Sequence, residues 1–99
     1  MIVVRNVFQL KFGKAREAVA LWKEGAEIIR KGGGPGPDRI LTDLVGDFYT
    51  LVVETKAANL AEFEASFKKM PNSPEMQAWY QKFTPLVEGG HREIFNIVE

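Results

Sequence analysis

Few residues of this chain combine a reactive type with a setting that would let them act. Asn6 is a carboxamide in the middle of Ile2, Val4, Phe8 and Leu10, a series otherwise apolar at every second position. A buried amide must find hydrogen-bond partners, so Asn6 is expected either to hold an oxygen of a ligand or to bond a local main-chain group. His91, the single histidine, follows Gly89 and Gly90. Its residue type exchanges protons near neutral pH and suits a general base, whereas a place in solvent at a strand mouth would give it no such task. Trp79 and Tyr80 carry an indole N–H and a phenol that would orient a substrate, with Trp22, Tyr49, Phe63 and Phe67 as further apolar walls. The helical spacing of most of these aromatics also suits a packed core.

Other chemistries lack their residues. With no cysteine there is no thiolate nucleophile, no disulfide and no Cys-ligated metal. His91 with Glu93 is no metal motif, because zinc and iron sites want three or more convergent ligands. Neither a metal nor a cofactor is therefore expected. The run KGGGPGPDR, residues 31–39, has the glycines of a phosphate cradle in the wrong order of elements. It follows a helical pattern and leads into a strand, so it meets the carbonyl end of the helix, where an anion is disfavoured. It reads as a helix stop and a passage over the end of a sheet.

Charge narrows the partners. Lys plus Arg and Asp plus Glu are 13 each among 99 residues, so no net field attracts nucleic acid or a membrane surface. The opening residues alternate in polarity and lack a basic region with a long apolar core, so a cytoplasmic location is expected. A chain this short is expected to be one domain, residues 1–99, and to lean on a partner copy for stability.

The elements that must position these residues follow from periodicity. Residues 2–11 alternate as a strand, with Asn6 on the drier face. After Gly13 the spacing turns helical, with Ala15, Ala18, Val19, Trp22, Ala26 and Ile29 in one stripe, until the glycines from Gly32 stop it. Residues 39–55 read as two strands joined by a two-residue turn at Gly46 and Asp47, with Arg39 opposite Glu54 and Leu41 opposite Val52. A helix capped by Asn59, with Glu62 three residues on, carries Leu60, Phe63, Phe67 and Met70. A second, capped by Ser73 with Pro74 first, carries Met76, Trp79, Tyr80 and Phe83, bends at Pro85 and ends at Gly89 and Gly90. HREIFNIV closes the chain as a strand.

This order, βαββαβ, is the ferredoxin-like α+β arrangement: a four-stranded antiparallel sheet with helices on one face. The other face is expected to carry Arg5, Gln9, Arg39, Asp43, Glu54, Arg92 and Asn96 among Val3, Val7, Leu41, Val45, Phe48, Val52, Ile94 and Val98. That is too apolar to be left in water. With no nucleic acid to cover it, a second copy of the chain is expected there, giving a homodimer.

The opening strand through FQLKFGKAREAVALWKEG, the hairpin end FYTLVVET, the helix LAEFEASF and the tail SPEMQAWYQKFTPLVEGGHREIFNIVE resemble the dimeric α/β-barrel superfamily. The similarity is to its NIPSNAP-like and antibiotic-biosynthesis-monooxygenase-like branches and covers nearly the whole chain. It implies two sheets packed into a barrel and a ligand cavity between sheet and helices in each subunit. It further implies a candidate activity, cofactor-independent oxygenation of an aromatic substrate, with an asparagine on the first strand, here Asn6, at the site; Tyr80 and His91 would join it as catalytic groups on the reading of the residues given above. Trp22, Tyr49, Phe63, Phe67 and Trp79 would then line the ligand site. Haem-degrading relatives carry a Trp and a haem-ligating His on the second helix. Neither occurs between Asn59 and Met70, so haem chemistry is not implied. The alternative is a non-catalytic ligand-binding or interaction module of the same fold.

Overall fold

The computed structural model describes residues 1–69 and 72–98; the expected place of Met70 on a helical stripe lies outside them. Strand β1 (Ile2–Leu10) leads to helix α1 (Ala15–Lys31), then to strands β2 (Arg39–Thr42) and β3 (Thr50–Ala57). Helices α2 (Leu60–Phe67) and α3 (Pro74–Phe83) follow, and a 3-10 turn at Thr84–Leu86 delivers the chain to β4 (Val87–Asn96). The strands form one antiparallel sheet in the order β2-β3-β1-β4. This is the ferredoxin-like α+β fold expected from the order of elements. Its Cα extents of 36 × 36 × 17 Å describe a slab of one sheet layer and one helix layer.

The caps form as the sequence predicts. Asn59 Oδ1 accepts the Glu62 N–H at 2.9 Å, and Ser73 Oγ accepts the Met76 N–H at 3.1 Å with Pro74 at the first helical position. Gly32 donates to the Ile28 carbonyl at the end of α1, and Gly33 takes φ +87°, a left-handed turn that only glycine adopts without cost.

One core fills the space between sheet and helices at one end: Leu10, Ala18, Ile28, Leu51, Val53, Trp79, Phe83 and Leu86. Phe8, Trp22, Trp79 and Phe83 make a chain of ring contacts inside it, with centroids 5.0 to 6.1 Å apart. At the other end only Ile2, Val4 and Phe63 are buried together under α2, with Ala57 beside them. The thinner packing at that end is what leaves room for a cavity.

Three expectations need correction. The β2–β3 ladder keeps the expected register, Arg39 opposite Glu54 and Leu41 opposite Val52, but the connection is not a two-residue turn. The Asp43 carboxylate accepts the Thr50 N–H at 2.8 Å. That side-chain bond ends the ladder, and a loop over residues 43–49 leaves Leu44 and Val45 more than nine-tenths exposed. Gly89 and Gly90 do not precede the last strand; they lie within β4, beside a register shift at Gln9 and Leu10. A Cβ on Gly90 would sit 2.5 Å from the Val7 carbonyl oxygen, so only glycine lets the two strands approach there.

The third correction turns β4 over. The register pairs Arg5 with Glu93, Asn6 with Arg92 and Val4 with Ile94. Arg92, Ile94 and Asn96 therefore share the helix-side face with Asn6, while His91, Glu93 and Phe95 lie on the open face. The charges explain the choice. On the open face Arg5 bonds both Glu54 and Glu93, and Arg39 Nε bonds Glu54 at 2.8 Å. Glu54, only 3% exposed, is thus held between two guanidinium groups.

Candidate functional site

The site is built outward from Asn6. Strand alternation aims it at the helices, opposite Val53 on β3 and Arg92 on β4. The Asn6 side-chain oxygen accepts a hydrogen bond from Arg92 Nε at 2.7 Å. The Arg92 guanidinium in turn stands over two rings of α2, 5.5 Å from the centroid of Phe63 and 5.0 Å from that of Phe67. Phe63 and Phe67 are one helical turn apart and touch edge to face at 4.7 Å. Helix spacing and strand register together thus place a cation, an amide and two aromatic faces at one point.

Behind them lies a cavity of about 70 Å³ lined by Val4, Asn6, Trp22, Ile29, Val53, Phe63 and Phe67, among others. Trp22 adds a hydrogen-bond donor. Its Nε1–H is buried and has no partner, the one such side-chain atom among the described residues. Buried donors are rarely left unpaired, because each forfeits the hydrogen bond it made to water. A groove of about 600 Å³ adjoins the cavity and shares Pro35, Thr55, Phe63 and Ser66 with it. Its other walls include the glycine-rich segment at Gly33 and Gly34, Lys56 and Ala57 of β3, α2 at Glu62 and Ala65, and Lys69 just beyond that helix.

Of the residues singled out in the sequence, Asn6, Trp22, Phe63 and Phe67 come together at this cavity. The others stand apart from it. Trp79 is buried in the core, where Gly25 gives its indole room against α1 and its Nε1–H donates to the Leu21 carbonyl, so its one donor is occupied. Tyr80 is 61% exposed on α3. Tyr49 sits at the end of the 43–49 loop with φ +62° and meets the ring of Phe12 at 5.1 Å.

His91 is on the opposite face of the sheet, 3.2 Å from a Glu93 oxygen. The Glu93 carboxyl is lowered chiefly by the hydrogen bond with His91; desolvation opposes this, and Arg5 adds a smaller lowering. Arg92 is the functional candidate missed in the sequence. The signal was present in the pairing of an amide on β1 with a basic residue on β4, but it needed the register of two strands more than eighty residues apart. No group of His, Asp and Glu able to hold a metal ion occurs among the described residues. Nor is any described helix long and apolar enough to cross a membrane.

The fold recurs in solved structures. A NIPSNAP domain protein from Burkholderia xenovorans superposes with a TM-score of 0.84 at 16% identity, over 99% of this chain and 95% of that one. A NIPSNAP family protein from Agrobacterium tumefaciens gives 0.83 at 18% identity, over 99% and 93%. A candidate antibiotic biosynthesis monooxygenase from Nitrosomonas europaea gives 0.71 at 13% identity, over the whole of both chains. At such identities these likenesses concern the fold alone. No protein with a curated description matches the chain by sequence. The NIPSNAP family model, in contrast, matches residues 4–99: the chain belongs to the NIPSNAP family.

Proposed function

We propose that this protein binds a small molecule between sheet and helices, with the polar end of the ligand at Asn6, Arg92 and Trp22. The observation that carries this reading is the buried, unpartnered Trp22 Nε1–H in the wall of the same cavity that Asn6 lines. An acceptor atom of a ligand would satisfy that donor, and Arg92 would supply a second bond beside it. Closing two copies over the open sheet faces would leave this cavity intact, since it lies on the helix side.

A reaction the site would support is oxygenation, the activity in the name of the Nitrosomonas europaea neighbour, carried out here without a cofactor. In that chemistry a substrate carbanion passes an electron pair to O2 and a carbon–oxygen bond forms. Loss of water from the hydroperoxide then leaves a carbonyl, so that one CH2 and one O2 become one C=O and one H2O. The protein's part would be a dry pocket and donors for the substrate oxyanion, here Arg92, Asn6 and Trp22. No carboxylate or imidazole lines the cavity among the described residues, so the substrate would have to ionise by itself. That favours binding over catalysis as the primary reading. His91, on the far face, would act on neither.

The test is a fluorescence titration in a Trp79→Phe background, which leaves Trp22 as the sole indole. Small carboxylates should perturb its emission, and Asn6→Ala should weaken binding roughly tenfold or more, the loss of one hydrogen bond to a charged group. A ligand bound as tightly by the Asn6→Ala variant would remove this cavity from the function. Oxygen uptake with anthrone-like and quinol substrates then separates an oxygenase from a binding module.

A further inference from the structure

The geometry points to the class of ligand, on the premise that the cavity at Asn6 is the binding site. We infer that it is an amphipathic monoanion, with a carboxylate head at Arg92, Asn6 and Trp22 and an extended apolar body in the groove along α2.

The head follows from charge. Arg5, Arg30 and Arg39 each have a carboxylate within 3.5 Å. Arg92, like Arg16, has none among the described residues; its Nε is spent on Asn6, and no bond among the described residues engages its two terminal nitrogens. Of these two, Arg92 is the one that stands against the cavity residues Asn6, Phe63 and Phe67. The rings of Phe63 and Phe67 hold the guanidinium from the protein side. A planar guanidinium fixed in this way presents a fork that fits a carboxylate. One cation at the head calls for one negative charge, not the near two of a phosphate monoester.

The shape of the body follows from volume. The inner cavity, about 70 Å³, is roughly half of what a benzene ring occupies in an apolar protein cavity. A ring cannot follow the head inward. The space open to the rest of the molecule is the groove of about 600 Å³, within the range that takes a drug-sized ligand. It is reached past Pro35, Thr55, Phe63 and Ser66, the residues both spaces share, and its walls include Ala57 and Ala65. Glu62 and Lys69 lie at its outer side, where a tail leaving the groove would meet water.

Calorimetric titration with butyrate, decanoate and 1-decanol, each below its aggregation threshold, tests both halves. Decanoate should bind at least tenfold more tightly than butyrate, since each methylene buried is worth about fourfold. Arg92→Gln should weaken decanoate at least tenfold and leave 1-decanol unchanged, with Arg92→Lys in between. Ala65→Trp, which fills the groove from the exposed side of α2, should bring decanoate down to the affinity of butyrate. If 1-decanol binds as tightly as decanoate the anionic head is wrong, and if butyrate does the groove is wrong. Binding by none of the three overturns the inference. The Asn6→Ala fluorescence titration decides separately whether the cavity is a site at all.

Discussion

At the scale of single residues, the informative groups are those whose hydrogen-bonding capacity the fold does not use. Among the described residues Trp22 Nε1–H finds no partner and the terminal nitrogens of Arg92 none. Trp79, which looked as promising in the sequence, spends its donor on the Leu21 carbonyl. Residue type alone does not separate the two indoles. What separates them is the carbonyl that Gly25 exposes to one and not to the other. On the open face the same accounting predicts a pH effect. Glu93 has its carboxyl lowered chiefly by the His91 hydrogen bond, so the folded state gives up that proton more readily than the unfolded chain. The resulting stabilisation is complete above the unfolded carboxylate value and is lost as pH falls through the lower, folded one. Wild type should exceed Glu93→Gln in urea midpoint near neutrality, by a small margin because the pair is exposed. The two curves should merge on acidification. Curves that stay parallel through the acid range would show that Glu93 carries no such linkage.

At the scale of elements, the strands and helices were legible because each is set by local pattern. The alternation of β1, the stripe of α1 and the caps at Asn59 and Ser73 all formed as read. The side to which β4 turns was not legible. Its two faces carry comparable mixtures, Arg92, Ile94 and Asn96 against His91, Glu93 and Phe95. Only pairing with β1 decides between them, through Arg5 with Glu93 and Asn6 with Arg92. The candidate site inherited that ambiguity: Asn6 could be found by its anomaly on an apolar face, Arg92 could not. The α1–α3 contact supplies a prediction of its own. A Cβ at Gly25 would stand 2.7 to 2.9 Å from the Trp79 indole, and Trp79 is only 6% exposed, with little room to retreat. Although alanine favours a helix, Gly25→Ala should destabilise the protein by about 1 to 3 kcal/mol in urea denaturation, as overpacking does. A gain in stability, the result expected from helix propensity alone, would mean that α3 shifts freely against α1.

At the scale of the molecule, a slab 17 Å thick has one face of its sheet without a covering layer. That face carries Val3, Val7, Leu41, Val52 and Phe95 around the Arg39, Glu54, Arg5 and Glu93 network. Glu54 is nearly inaccessible even in a single chain because the arginines fold over it. With Arg5, Arg39, Glu54 and Glu93 neutralising one another, that network can be desolvated without stranding one of its ions, the usual obstacle to burying it; Lys56, opposite Val3, has no carboxylate partner among the described residues and would have to reach the edge of the contact. We propose that a second copy supplies the missing layer through a two-fold contact in which each sheet presents the same residues. Val7 lies near the middle of this face, opposite Val52 on one side and His91 on the other. Wild type should scatter light with twice the mass of one chain at micromolar concentration. Val7→Glu would place two uncompensated carboxylates at the centre of the contact. It should give a monomer with unchanged far-UV circular dichroism, since Val7 contributes nothing to the helix-side core. A wild-type monomer at that concentration would refute the dimer. A Val7→Glu variant that stays dimeric would move the contact off this face. The ligand site would survive either result, because Asn6, Arg92 and Trp22 lie on the other side of the sheet and no partner is needed to complete it.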